Sequence, residues 1–137
     1  MHAIVCVDDR DGMTFNHRRV SRDRVLCEDI VRMVGTQTLH LSCYSVPLFD
    51  AFSSLTLSAS ENYFDRAGKG EYCFFEREAP GRWEKHIETL ILYRWNRRYP
   101  SDMKFDIDVG LGVWKLLSRE DFPGSSHEKI TKEIYVK

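Results

Sequence analysis

The residues best suited to chemistry in this chain are arginines, and they fall in two groups. The first is Asn16-His17-Arg18-Arg19-Val20-Ser21-Arg22-Asp23-Arg24. The second, Tyr93-Arg94-Trp95-Asn96-Arg97-Arg98-Tyr99, interleaves three arginines with three aromatic rings. Arginine presents a planar fork of donors that matches the oxygens of phosphate or carboxylate. Rings beside such cations give unpaired bases a face to stack on. Arg18, Arg19, Arg22, Arg24, Arg94, Arg97 and Arg98 are therefore expected as phosphate-binding residues, and Tyr93, Trp95 and Tyr99 as base-stacking residues.

Two of the five histidines add acid–base capacity to these groups. Histidine is the side chain that changes charge near neutral pH. His17 stands inside the first arginine group, and His127 in the late turn Gly124-Ser125-Ser126-His127-Glu128-Lys129. As a catalytic pair they would cleave RNA without metal. One would take the proton of a 2′-OH, cations would stabilise the charged intermediate, and the other would protonate the leaving oxygen. Each also has a structural explanation, His127 as a turn residue and His17 as a capping or buried one. His40, between Leu39 and Leu41, reads as structural, and His86 carries no signal.

Other patterns are weaker. Asp8, Asp9 and Asp11 are hard-ligand types, but Arg10 interrupts them and EF-hand spacing is absent, so they read as a strand-end turn. Cys6, Cys27, Cys43 and Cys73 stand far apart with no CxxC, which argues against a disulfide framework or a zinc site. Gly110-Leu111-Gly112 is too short for a phosphate loop, and no GxSxG nucleophile motif is present. No metal and no cofactor are expected.

The elements that must position these residues follow from hydrophobic periodicity. His2–Val7 is a short apolar run ending in Asp8-Asp9, as suits a buried central strand. Val25, Leu26, Ile30, Met33 and Val34 recur at helical spacing between Ser21, the expected N-cap, and Gly35. Strands are expected at Thr38–Ser42, Ser54–Leu57, Glu71–Glu76 and Thr89–Trp95, with helical turns at Val46–Phe52, after Ser60 and at Trp83–Ile87. Beyond Pro100, Met103–Ile107, Val113–Leu117 and Lys129–Val136 read as strands, with Ile130, Ile134 and Val136 on one face. Strand–helix alternation implies a parallel sheet, and the all-strand tail implies antiparallel pairs at one edge. Each arginine group then follows the carboxyl end of a strand, where open α/β sheets bind ligands.

Composition bounds these readings. The chain has 137 residues, with 42% hydrophobic and 12% aromatic residues, which is ample for one core and argues against disorder. We expect one α/β domain spanning 1–137. Twenty Lys and Arg against 21 Asp and Glu leave a formal charge of −1, so any contact with a polyanion must be local. No apolar run is long enough for a signal-peptide core or a membrane span, and the expected setting is a reduced, cytoplasmic one without membrane contact.

The order of elements resembles the dihydrofolate reductase family. The opening IVCVDDRDGM, the stretch SSLTLSASENYF and the ending WKLLSREDF through KEIYVK carry the likeness, which spans most of the chain as topology and hydrophobic pattern. It implies a mostly parallel twisted sheet with flanking helices and C-terminal antiparallel strands. The family's functional motifs are replaced. Leu92–Arg98 stands where the family has a glycine-rich turn, and Leu41-Ser42-Cys43-Tyr44-Ser45 where it has a Gly-Arg-x-Thr cofactor segment. Glu28 and Asp29 are only near the place of its substrate-binding acid. The chain is also similar to short bacterial proteins labelled ribonuclease Z, which implies RNA as a substrate. The five histidines lack the HxHxDH zinc motif of the genuine family.

Three functional readings follow. The leading one is a nucleic-acid-directed protein, extending to a metal-independent ribonuclease that uses His17 and His127. The second is a non-catalytic module on a reductase-like scaffold that recognises a phosphate-rich ligand or a protein partner. The third is a divergent NADPH-dependent reductase.

Overall fold

The computed structural model describes residues 1–137. Ten strands form two sheets: β1 (His2–Val7), β2 (Gly12–Phe15), β3 (Arg18–Arg19), β4 (Thr38–Leu41), β5 (Thr56–Ala59), β6 (Tyr72–Phe75), β7 (Thr89–Arg94), β8 (Met103–Lys104), β9 (Lys115–Phe122) and β10 (Ile130–Val136). Two α-helices, α1 (Arg24–Val34) and the single turn α2 (Tyr63–Arg66), and 3-10 segments at Cys43–Phe49 and Pro80–His86 complete the chain. The main sheet runs β5-β4-β6-β1-β7-β10-β9, and β3-β2-β8 form a small second sheet.

β5, β4, β6, β1 and β7 are mutually parallel, and β10 and β9 add antiparallel to β7. The expected mixed α/β architecture is the observed one. β1 sits at the centre because His-Ala-Ile-Val-Cys-Val offers apolar side chains to both faces, as a doubly covered strand requires. Alternation along β7 and β10 then sorts the core. Leu90 and Leu92 face one cluster with Phe75, Phe105 and Trp114, while Ile91, Tyr93 and Trp95 face the other beneath Leu26, Ile30 and Val34 of α1. Ile130 and Ile134 share the α1 side as expected from their spacing, whereas Val136, expected on the same face, joins neither core cluster and follows a register shift at Ile134/Tyr135.

Several boundaries differ from the sequence-based expectation. α1 begins at Arg24, and its N-cap is Asp23 rather than Ser21, the Asp23 side chain accepting from the N–H groups of Val25 and Leu26. The strand expected at Met103–Ile107 keeps only two residues, because Phe105 and Ile107 turn inward to cover the sheet. The strand expected at Val113–Leu117 begins at Lys115 and runs to Phe122, and that at Ser54–Leu57 moves to Thr56–Ala59. The turn expected to be capped by Ser60 follows Asn62. The small sheet was not expected. Its β2–β3 hairpin turns through Asn16 and His17, whose φ values of 51° and 63° both lie in the left-handed region required by a two-residue mirror-image turn.

Candidate functional site

The loops leaving the carboxyl ends of β1 and β7 are tied together. The Asp9 N–H donates to the Arg97 carbonyl at 2.9 Å. Buried Asp8 accepts from the N–H groups of Arg10, Gly12 and Tyr99 at 2.9, 2.7 and 2.9 Å. Asp8 thereby organises the strand-end turn, and Gly12 is needed there because a Cβ would stand 2.8 Å from Asp8 Oδ1. No group of three or more His, Cys, Asp or Glu side chains is arranged to hold a metal ion.

The segment before α1 meets the late turn 124–127 in one hydrogen-bonded network. Asp23 accepts from the Ser125 N–H at 3.0 Å and the Ser126 N–H at 2.8 Å, in addition to its capping bonds. Its Oδ2 lies 3.0 Å from His127 Nδ1, and Ser21 Oγ lies 2.9 Å from His127 Nε2. Burial alone would raise the Asp23 carboxyl. The bonds from His127 and from the Ser125, Ser126 and Leu26 N–H groups together outweigh it and hold the carboxyl well below its ordinary value. An ionised Asp23 fixes the imidazole with its proton on Nδ1, which leaves Nε2 to accept from Ser21. The Tyr99 hydroxyl donates to Ser21 Oγ at 3.2 Å and also lies 3.0 Å from Nε2. The indole of Trp95 stacks on the His127 ring at 4.6 Å between centroids and sets its plane.

This network forms one wall of a cleft of about 730 Å³ between α1, the Pro47–Phe52 segment and the loop after β7. Arg22, Arg24 and Arg97 line it, so the two arginine groups do converge here in part. Arg24 pairs with Glu28, whereas Arg22 and Arg97 make no ion pair. Cys27 also lines the cleft, and burial, then the charges of Glu76 and Asp23, push its thiol up to about 12, far from thiolate chemistry. Beyond Tyr99 lie two further hollows, of about 640 and 550 Å³, which share Phe15, Tyr99 and Pro100. Arg18 and Arg19 line the first, and Arg10, Arg98 and Lys104 line the second. Tyr99 links the three: its ring lines both smaller hollows, with Phe15 as an exposed aromatic, and its hydroxyl reaches Ser21 and His127 in the wall of the cleft.

The crevice at the ends of β1 and β6 is filled. Arg19 donates from Nε and Nη2 to the buried Glu76 carboxylate at 2.7 and 3.1 Å, and Ser45 donates to it at 2.7 Å. The Tyr44 ring lies beneath two guanidinium groups, Arg19 at 4.3 Å and Arg77 at 4.0 Å. The space left beneath is about 20 Å³, room for one water.

The other expected site residues are dispersed. His17 is exposed at the hairpin tip and does not line the cleft that holds His127, and no hydrogen bond joins it to the His127 network. Tyr93 is fully buried, its hydroxyl donating to Asp29 at 2.6 Å, and it offers no face to a base. Trp95 is buried and its stacking partner is His127. Tyr99 alone of the three expected stacking rings is partly open. Arg94 is bound to Glu133 at 2.7 Å and lies 3.6 Å from Asp11, away from the cleft. The reading from sequence did not single out Ser21 or Asp23 for chemistry, nor Phe15, Arg10, Lys104 or Glu76 for the site. Ser21 is read from sequence only as a helix cap and Asp23 only as a member of the arginine-rich stretch, and His127 reaches both from over 100 residues away.

Comparison with known proteins places the fold. The architecture is that of dihydrofolate reductase. The structure of dihydrofolate reductase from Enterococcus faecalis, solved in complex with NADP(H) and RAB-propyl, matches with a TM-score of 0.66 over 98% of this chain and 94% of that one, at 11% identity. At that identity the likeness is one of scaffold. No family model and no curated protein matches the sequence, and the resemblance to proteins labelled ribonuclease Z finds no counterpart. No helix is long and apolar enough to cross a membrane.

Proposed function

We propose that this protein is a binding module on a dihydrofolate-reductase-like scaffold that recognises a phosphate-rich chain, with single-stranded RNA as the ligand class that best fits. The observation that carries the reading is the basic strip around Tyr99. Arg22 and Arg97 in the cleft and Arg10, Arg98 and Lys104 in the hollow beyond Tyr99 are free of ion pairs, and Phe15 stands 44% exposed beside the second group. Free cations flanking an open ring suit a backbone that carries phosphates at intervals and bases between them. The whole chain carries a formal charge of −1, so the acidic residues outside this surface more than balance its cations and the attraction stays local.

The two-histidine ribonuclease reading receives no support from the placement of His17 and His127. The NADPH-dependent reading meets a filled crevice. The position at which open α/β sheets receive ligands, outside the strand ends near the reversal of strand order, is occupied here by the Arg19–Glu76 pair, with Arg19 stacked on Tyr44. A space with room for one water does not admit a nicotinamide ring.

The test is fluorescence anisotropy with a labelled single-stranded RNA at low salt, with NADPH and inorganic triphosphate as competitors. Saturable RNA binding that weakens in Arg97→Glu and Phe15→Ala is expected, together with displacement by triphosphate and not by equimolar NADPH. RNA that stays free at low salt would sink the reading.

A further inference from the structure

We propose that Ser21, His127 and Asp23 form a nucleophilic relay and that the protein hydrolyses a carboxylic ester carried on a phosphate-bearing molecule. The geometry is that of an activated serine: Ser21 Oγ to His127 Nε2 is 2.9 Å, and His127 Nδ1 to Asp23 Oδ2 is 3.0 Å. The base is held by its surroundings rather than left free to turn, since Trp95 stacks on the imidazole and the Asp23 side chain is fully buried. Ser21 itself is partly open and lines the cleft. These roles are recognised by geometry and not by motif, so the missing GxSxG turn does not bear on them.

Ser21 Oγ attacks the ester carbonyl carbon while its proton passes to Nε2. The tetrahedral intermediate collapses with cleavage of the bond to the alcohol oxygen, and the imidazolium returns the proton to that oxygen as it departs. Water, deprotonated by the same Nε2, then attacks the acyl-serine and releases the acid and the free Ser21 hydroxyl. The Tyr99 hydroxyl, 3.2 Å from Ser21 Oγ, is the donor placed to meet the developing oxyanion. Arg22 and Arg97 would seat the phosphate of the substrate. That part of the inference rests on the anion-binding reading of the cleft, whereas the relay does not.

The experiment separates the two. Folded protein is treated with a neutral dialkyl fluorophosphate, which forms a P–O bond to an activated serine and releases fluoride. The expected result is one adduct, located on Ser21 by peptide mass, absent in Ser21→Ala and formed about 100-fold more slowly in His127→Gln. Asp23 is a positioning residue, so Asp23→Asn, which keeps a capping side chain, should lose the neutral plateau of the labelling rate, leaving a rate that climbs with hydroxide. Protein shown by circular dichroism to be folded that stays unlabelled, or an adduct that persists in Ser21→Ala, would overturn the relay. In a second arm, 4-nitrophenyl phosphonoacetate is compared with 4-nitrophenyl acetate. Arg97→Gln should raise KM about 10-fold for the charged ester and less for the acetate. Labelling without that preference overturns the phosphate-bearing substrate and keeps the relay. RNA binding without labelling overturns the relay and keeps the binding function.

Discussion

Asp23 and Ser126 are joined at 2.8 Å, the Ser126 N–H donating to Oδ2 while the other carboxylate oxygen caps the first turn of α1. One buried carboxylate thus fixes both where the helix starts and where the chain turns before β10. Replacing it with alanine removes the cap, worth about 1 kcal/mol, and leaves buried N–H groups of the 124–127 turn without a partner, at about 1–3 kcal/mol. Asp23→Ala should therefore destabilise the protein by about 3 kcal/mol in urea unfolding, and Asp23→Asn by clearly less, because asparagine can still accept from the helix. Equal losses in the two variants would contradict this.

The same carboxyl gives the acid limb of stability a definite sign. Its value in the folded protein is depressed, with burial opposed and outweighed by the bonds from His127, Ser125, Ser126 and Leu26. An unfolded aspartate titrates at about 3.9. The contribution of Asp23 is therefore complete above about pH 5 and fades as pH falls through the unfolded value toward the lower folded one, since the unfolded chain then binds a proton that the folded one does not. Asp29 and Glu133 are also depressed, after burial is outweighed by Lys132 and Tyr93 in one case and by Arg94 and Arg119 in the other, and they share this limb. The diagnostic quantity is the gap in unfolding free energy between wild type and Asp23→Asn, which should narrow steadily from pH 5 to pH 3. A constant gap would remove Asp23 from the acid limb.

His17 is held by its backbone. Its φ of 63°, beside the 51° of Asn16, is a conformation that glycine adopts freely and a larger residue adopts at a cost of about 1 kcal/mol. His17→Gly yields Asn-Gly, the preferred pair for such a turn. It should leave stability unchanged or raised by about 0.5 kcal/mol in thermal unfolding, and RNA affinity within about twofold. A large loss of affinity would return His17 to the binding surface.

The central strands, the core face of α1 and the antiparallel edge were legible in the sequence because each follows from local periodicity. The hidden features depend on partners far away in the chain. Ser21 and Asp23 are both capping residues, and the choice between them is made by Ser125 and Ser126. The period of two along Tyr93 and Trp95 puts both rings on one face of β7, and the docking of α1 on that face turns two apparent stacking platforms into core. Arg19 looked like its neighbour Arg18, yet the short β2–β3 pairing aims it at Glu76. Convergence of the arginine groups at the carboxyl edge was foreseen in direction, but Arg94 pairs with Glu133, on β10, a strand whose neighbour the sequence did not specify.

The extent of the strip can be read from salt dependence. Each phosphate neutralised on a single strand contributes about −0.7 to the slope of log K against log salt. Arg98 and Lys104 line a hollow that Ser21 does not and make no ion pair that would compete with a phosphate, Lys104 bonding only to the Ser101 hydroxyl at 3.2 Å. Removing both charges in Arg98→Gln/Lys104→Gln should make the slope shallower by about 1.4 for an RNA long enough to span the strip, and leave it nearly unchanged for a dinucleotide that reaches only the Arg22 and Arg97 end. Anisotropy titrations at four salt concentrations with both ligands measure this. An identical drop for the long and the short RNA would mean that the hollows act as one compact phosphate site, and the ligand would then be a small polyphosphate rather than a chain.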